Sequence, residues 1–312
     1  MRVLITGVAG FVGSNTAEAA LRRGWQVRGI DALTDYYDPA LKQRNLDAIG
    51  LTGAIDLVVD DLLTTDLAAL LDGVDAVIHL AAQPGVRDSW GQFGTYVAAN
   101  VLATQRLLEA LRQHPVARLV YASSSSAYGD APAYPVFETD LPRPRSPYGV
   151  TKLAAEQLCV AYAANFGISS VSLRYFTVYG PRQRPDMATN RLIAAARFGT
   201  PFPMFGDGSQ IRDFTFVGDV VAANLAAVEA DVAAGSVFNV AGGDSCTLAE
   251  LIDLVGREVG SPVPLDRRPA QPGDVFRTGG DITAAVEGLG WRPTVSVAEG
   301  VKAQVAWALA NT

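Results

Sequence analysis

The chain opens with a buried-strand run, Val3 to Ile5, that passes straight into Gly7, Gly10 and Gly13 before a segment with helical patterning at 14–23. Glycines at this spacing between a strand and a helix let backbone amides and the helix N-terminus approach an anion, and a pyrophosphate is the group such a turn cradles. A glycine triplet also serves packing at tight turns, so its context matters. A second strand pattern, Trp25 to Ile30, ends in Asp31, about 20 residues beyond the turn, where a carboxylate meets the ribose hydroxyls of an adenine dinucleotide. A carboxylate there repels a 2′-phosphate, so the pattern predicts NAD rather than NADP.

Downstream, apolar strand-like runs at Ile55 to Val59, Ala76 to Leu80, Leu119 to Ala122 and Ser170 to Leu173 alternate with helical patterns near 100–113 and 147–165. Runs that look apolar on both faces, separated by helices, describe an α/β fold with a doubly wound parallel sheet. After Tyr175 proline and glycine become dense, while Val237 to Val240 reads as a strand. The expected division is a Rossmann-type cofactor domain over 1–177, rejoined by a strand near 236–241, and a smaller substrate lobe over 178–312.

With 312 residues, 49% of them hydrophobic, the chain can bury a substantial core. The first strand starts at residue 2 and no apolar run spans a bilayer, which predicts a cytoplasmic enzyme with no membrane partner. A formal charge of −7 argues against nucleic acid. An anionic substrate must therefore be held by a local arginine cluster. Cys159, in a helical pattern, and Cys246, in a loop, lack metal-ligand spacing, and no metal site is expected.

The chemistry concentrates in two stretches. Tyr121-Ala-Ser-Ser-Ser-Ser-Ala-Tyr-Gly129 ends a strand in a run of serines, and Tyr148-Gly-Val-Thr-Lys152 opens a helix. A tyrosine and a lysine four apart share one helical face. The ammonium can lower the phenol pKa and make Tyr148 a general base, while a serine hydroxyl shares the same substrate oxygen.

With these residues in view the chain resembles the extended short-chain dehydrogenase/reductases that act on nucleotide sugars. The likeness runs nearly end to end. It takes in Asp60-Asp61-Leu62, His79-Leu-Ala-Ala82, Leu173-Arg-Tyr-Phe-Thr-Val-Tyr-Gly-Pro181, Arg212-Asp-Phe-Thr-Phe-Val-Gly-Asp219, Gln271-Pro-Gly-Asp274 and Leu289-Gly-Trp291. It implies catalysis by Ser124, Tyr148 and Lys152, with Lys152 on the cofactor ribose. It implies a cofactor site built from Gly7, Gly10, Phe11, Val12, Gly13 and Asp31, then Lys42, Asp61, Leu62, Leu80, Ala81 and Ala82, and closed by Asn100, Tyr148, Lys152 and Tyr175. Arg212 falls where the family meets the nucleotide diphosphate, and the resemblance implies Asp274 as a further substrate contact.

Within the family, dehydratases carry an acidic pair where this chain has Ser125 and Ser126, and pentose-forming decarboxylases carry a glutamate in place of Ser126. Asp35-Tyr-Tyr-Asp-Pro39 with Lys42, the serine run and Phe176-Thr-Val-Tyr-Gly-Pro-Arg-Gln-Arg-Pro-Asp-Met187 resemble the UDP-glucuronate 4-epimerases. The implied reaction passes through a 4-keto uronic acid, whose carboxylate is β to the new carbonyl and prone to loss. Ser125, Ser126 and Thr177 can hydrogen-bond that carboxylate without acting as strong acids. Alternatively the extra serines only cap the following turn.

Arg87, Arg184 and Arg191 are candidates for substrate contact or surface charge, while Arg174, His79 and His114 read as structural. Other readings are 4-epimerisation of a neutral UDP-hexose or UDP-N-acetylhexosamine, a nucleotide-sugar dehydratase, and a non-enzymatic dinucleotide sensor. Apolar faces on 100–113 (Val101, Leu107, Leu108, Leu111) and 152–166 (Leu153, Leu158, Tyr162), which pair across a twofold in the family, predict a homodimer.

Overall fold

The structure, a computed structural model, describes residues 1–269 and 275–311. The chain runs through β1 (Arg2–Thr6), α1 (Phe11–Arg22), β2 (Gln26–Asp31), α2 (Pro39–Thr52), β3 (Ile55–Val59), α3 (Leu67–Leu71) and β4 (Ala76–His79). Helix α4 (Phe93–Tyr96) then leads through a π-helical stretch, Val97–Leu102, into α5 (Ala103–Gln113), β5 (Arg118–Ser124), α6 (Pro147–Phe166) and β6 (Ser170–Tyr175). The remainder comprises β7 (Thr177–Tyr179), α7 (Ala188–Phe198), β8 (Phe202–Phe205), β9 (Ile211–Phe216), α8 (Val217–Glu229), β10 (Ser236–Val240) and β11 (Ser245–Thr247). It ends with α9 (Leu248–Val259), β12 (Leu265–Arg268), α10 (Thr283–Leu289) and α11 (Val297–Ala310).

Seven strands form one sheet in the order β10-β6-β5-β4-β1-β2-β3, every pair parallel. The order reverses between β1 and β4, which opens a crevice at the carboxyl ends of these strands. Leu4, Ile5, Val77, Ile78, Leu119 and Val120 are fully buried in the middle of the sheet, each contributing about 1.5–3 kcal/mol of apolar burial. One face packs on α1, α2, α8 and α10, the other on α3, α5 and α6. The edge strand departs from the expected pattern. Val59 of β3 is 58% exposed and Leu57 37%, because β3 has a neighbour on one side only. Two small sheets, β11-β9-β7 and β12-β8, share a separate core with α7, α9 and α11. Cys246, expected in a loop, lies in β11, paired with Arg212.

Three differences, two of boundary and one of facing, have local causes. Helix α1 starts at Phe11 because Gly10 itself is the N-cap, so the helix begins inside the glycine turn. The helix expected at 100–113 begins earlier, at α4, and its π-helical stretch carries Asn100 with its side chain turned into the protein. On the outward face expected of α5, Leu107, Leu108 and Leu111 instead point into the core, since the α5 stripe that is apolar is the one the sheet covers. Among the described residues no helix is long and apolar enough to cross a membrane.

Candidate active site

The glycine turn closes against itself. A Cβ on Gly13 would stand 2.0 Å from the Gly7 carbonyl oxygen, so only glycine lets α1 start this close to the end of β1. Gly10 caps α1 without a side chain, which leaves the first-turn amides facing the crevice. A cavity of about 540 Å³ opens there. It is lined by Gly7, Gly10, Phe11, Val12 and Gly13 of the turn, by Asp31 and Lys42, by Asp61 and Leu62, and by Leu80, Ala81 and Ala82. Thr6 holds the β4 end in place, its hydroxyl accepting the Leu80 and Ala81 amides at 3.1 and 3.0 Å.

At one end of the cavity Asp31 accepts the Ala9 amide at 3.0 Å and the Leu33 amide at 2.8 Å, with the Lys42 ammonium 3.5 Å away. Lys42 also donates to Thr34 at 3.2 Å and lies over the Tyr37 ring. Both charges are buried, so their pairing offsets part of the desolvation cost.

At the other end β5 delivers Ser123 to Ser126 and α6 delivers Tyr148 and Lys152. Ser146 caps α6 by accepting the Gly149 amide at 3.1 Å, and Pro147 fits the first helical turn. A Cβ on Gly149 would be 2.6 Å from the Ser126 carbonyl oxygen, so glycine here lets the first turn of α6 settle on the serine turn and brings Tyr148 to Ser124. Ser124 hydrogen-bonds the Tyr148 hydroxyl and also accepts the Ser126 amide at 3.1 Å. Capping of the serine turn therefore falls to Ser124, and Ser125 and Ser126 line the cavity beside it.

Burial raises the Tyr148 pKa, while the Ser124 hydrogen bond and the Arg184 charge pull it down. The expected help from Lys152 is not seen in that balance. Its ammonium sits 4.5 Å from the centre of the Tyr121 ring, and burial pushes it down to about 8 against the upward pull of its neighbours Cys159 and Glu156. Sharing a helical face puts Lys152 beside the same cavity as Tyr148, with its ammonium over the Tyr121 ring. Behind the pair, Glu156 is wholly buried, bridged to Arg174 at 2.7 Å and receiving the Ser123 hydroxyl at 2.6 Å. Arg174 also donates to Tyr128 at 2.7 Å, so it is part of the frame. His79 is equally structural, spanning Thr6 at 2.7 Å and Thr104 at 3.0 Å.

Other sequence candidates scatter. Tyr175 lines the cavity, its hydroxyl donating to Asn224 at 2.5 Å, and Thr177 lines it from β7. Asn100 does not line it. Its amide is consumed by the Gln83 backbone at 2.7 and 3.2 Å and by Thr151 at 3.0 Å, which props the Gln83 segment that does. Of the four arginines proposed for substrate only Arg184 reaches the cavity. Arg87 and Arg191 stack instead over Phe205 and Phe202 of β8, and Arg212 donates to the Phe276 carbonyl at 3.1 Å. Asp274 lies outside the described residues. The lining also holds Tyr36, Tyr37, Asp60, Gln83 and Asp186, none of them anticipated as contacts. They sit in loops without periodicity, and their signal was the local motifs around Tyr36, Asp60 and Asp186. Among the described residues no group of three or more histidine, cysteine or carboxylate side chains is placed to hold a metal.

A glycine turn at a helix N-terminus, a buried carboxylate at the end of the next strand and a serine-tyrosine-lysine set thus share one cavity. A Bacillus subtilis (strain 168) protein described as an uncharacterised UDP-glucose epimerase, YtcB, is 41% identical over 98% of each chain. A UDP-glucuronate 4-epimerase of Thermodesulfobacterium geofontis is 36% identical over 99% of this chain and 96% of its own. The crystal structure of a Bacillus cereus UDP-glucuronic acid 4-epimerase, in complex with UDP-glucuronic acid and NAD, superposes with a TM-score of 0.96 at 40% identity over the whole of both chains. Residues 3–241 match the model of the NAD dependent epimerase/dehydratase family, and the chain belongs to that family.

Proposed function

We propose that this protein is an NAD-dependent 4-epimerase that interconverts UDP-glucuronate and UDP-galacturonate. The observation that carries the reading is the convergence of Ser124, Tyr148 and Arg184 at the end of a cavity whose other end is a dinucleotide-type glycine turn. The Gly7 to Gly13 turn, Asp31, Lys42, Asp61, Leu62 and Leu80 to Ala82 would hold NAD, and the Asp31 carboxylate disfavours a 2′-phosphate. NAD, when bound, would supply the hydride acceptor and donor, and the 4-keto sugar turns over about its diphosphate linkage between the two transfers so that C4 is reduced on its opposite face.

The side chains do the rest. Tyr148 takes the C4 hydroxyl proton and later gives it back, with Ser124 hydrogen-bonded to the same oxygen and Arg184 favouring the phenolate. Lys152 holds ribose hydroxyls. Ser125, Ser126, Thr177 and Arg184 engage the uronate carboxylate and keep its bond to C5 out of line with the 4-keto group, which holds back decarboxylation. Residues 1–177 with β10 form the cofactor domain and 178–312 the sugar-nucleotide lobe. The protein is a cytoplasmic homodimer through α5, the π-helical stretch that leads into it and α6, where Leu102, Val150 and Phe166 remain exposed. Light scattering at micromolar concentration gives twice the chain mass on this reading and the single mass against it.

The test incubates the protein separately with UDP-glucuronate, UDP-glucose and UDP-N-acetylglucosamine and identifies products by NMR. UDP-galacturonate without pentose is expected; a 4-keto-6-deoxy sugar or a pentose product overturns the reading. A second reading, a neutral-sugar epimerase, is favoured by the name of the B. subtilis relative and requires faster turnover of UDP-glucose.

A further inference from the structure

Arg184 is gripped from one edge and covered on one face. Asp186, two residues along the same loop, accepts from Nε through Oδ1 and from Nη2 through Oδ2, each at 2.9 Å. The Tyr36 ring lies with its centre 6.0 Å from the guanidinium carbon, and the Tyr36 hydroxyl is itself tied to Asp88 at 3.1 Å. A guanidinium has two edges that can take a carboxylate in parallel, the Nε edge and the terminal edge between its two Nη atoms. Asp186 occupies the first. Among the described residues Nη1 has no hydrogen-bond partner, and both Arg184 and Asp186 line the cavity.

We propose that Asp186 is the positioning residue for acidic-sugar selectivity: it clamps Arg184 by its Nε edge so that the terminal edge is presented to the substrate carboxylate. This rests on the uronate reading above. A free arginine has several rotatable bonds, and freezing each on binding weakens the complex. The Asp186 clamp with the Tyr36 cover removes that cost in advance for a ligand that can use the open edge, and offers nothing to a neutral hydroxymethyl group. The alternative role for Asp186 is a competitor that cancels the Arg184 charge; its removal would then strengthen acidic-sugar binding.

The two roles have opposite signs, so one series separates them. Specificity constants for UDP-glucuronate and UDP-glucose are measured on NAD-loaded parent, Asp186→Ala, Asp186→Asn, Arg184→Met and the Asp186→Ala/Arg184→Met double variant. Calorimetric dissociation constants for both sugars supply a readout independent of turnover. The proposal expects the acidic-to-neutral ratio to fall about tenfold or more in Asp186→Ala, less in Asp186→Asn, whose oxygen keeps one half of the clamp, and no further in the double variant than in Arg184→Met. An unchanged or increased ratio in Asp186→Ala overturns it. If Arg184→Met leaves the ratio at the parent value, the uronate reading of Arg184 fails instead. Asp186→Asn, close in shape, provides the comparison should Asp186→Ala not fold.

Discussion

Substituting Glu156 by glutamine should destabilise the protein severely, although it changes one oxygen for one nitrogen. Glu156 and Arg174 are 0% and 3% exposed. The carboxylate receives Arg174 Nη2 at 2.7 Å, Nε at 2.9 Å and the Ser123 hydroxyl at 2.6 Å, so both of its oxygens serve donors. Glutamine offers one oxygen, and its amide nitrogen must face one of those donors. It also leaves the guanidinium charge buried without a counter-charge. Removing one partner of a buried ion pair costs about 3–5 kcal/mol. For 312 residues unfolding as one unit, an unfolding entropy of about 2.1 cal/mol/K per residue turns that into a fall in Tm of about 5–8 °C. Calorimetry at one fixed NAD concentration, since bound cofactor shifts Tm, checks it. Replacing both residues by methionine removes the uncompensated charge, and the double variant should be less destabilised than the two single changes summed. A Glu156→Gln protein that melts within about 1 °C of the parent, or a double variant whose loss equals the sum, refutes the account of this pair as the clamp joining β5, β6 and α6.

Gly13→Ala gains about 1 kcal/mol of helix propensity, but the added methyl meets backbone at 2.0 Å, so α1 must shift and NAD affinity should fall about tenfold or more by fluorescence titration; unchanged affinity sinks the packing argument. Tyr148→Phe should cut turnover about a hundredfold to ten-thousandfold with NAD still bound, and a loss below tenfold would remove Tyr148 from the base role. His79 is pushed down to about 3, by burial first and the Lys152 charge second. The unfolded chain takes up a proton near pH 6.5 that the folded state refuses, so the His79 contribution is complete above that pH and is lost as pH falls, by about 2 kcal/mol at pH 5. His79→Gln should flatten that slope in denaturant titrations, and an undiminished slope would show that other groups set it. Asp31→Ser should narrow the preference for NAD over NADP by about tenfold, measured as a ratio of dissociation constants, because it removes the repulsion and frees Lys42 to meet a 2′-phosphate.

The strand runs and the glycine turn were legible because both are local. A strand, a tight turn and a helix follow one another within residues 2–22, and Asp31 comes at the end of the next strand, so chain order alone places them on one rim. Tyr148 and Lys152 share a face of one helix for the same reason. Where the Lys152 charge rests could not be read this way, because Tyr121 comes from another strand. Nor could the choice among Arg87, Arg184 and Arg191, which look alike in the chain, or the placing of Arg212, which the resemblance put at the diphosphate. Three are drawn to phenylalanines of β8 and to the Phe276 carbonyl, and the loop after β7 carries only Arg184 into the cavity. Asn100 shows the same limit, since the π-helical stretch turned it from a cavity residue into a prop for Gln83. Local order along the chain therefore decides strands, turns and helix faces, where a few neighbouring residues settle the backbone. Which charged side chain meets which partner is settled by packing between segments far apart in sequence, where burying an ion is tolerable only beside the group that compensates it.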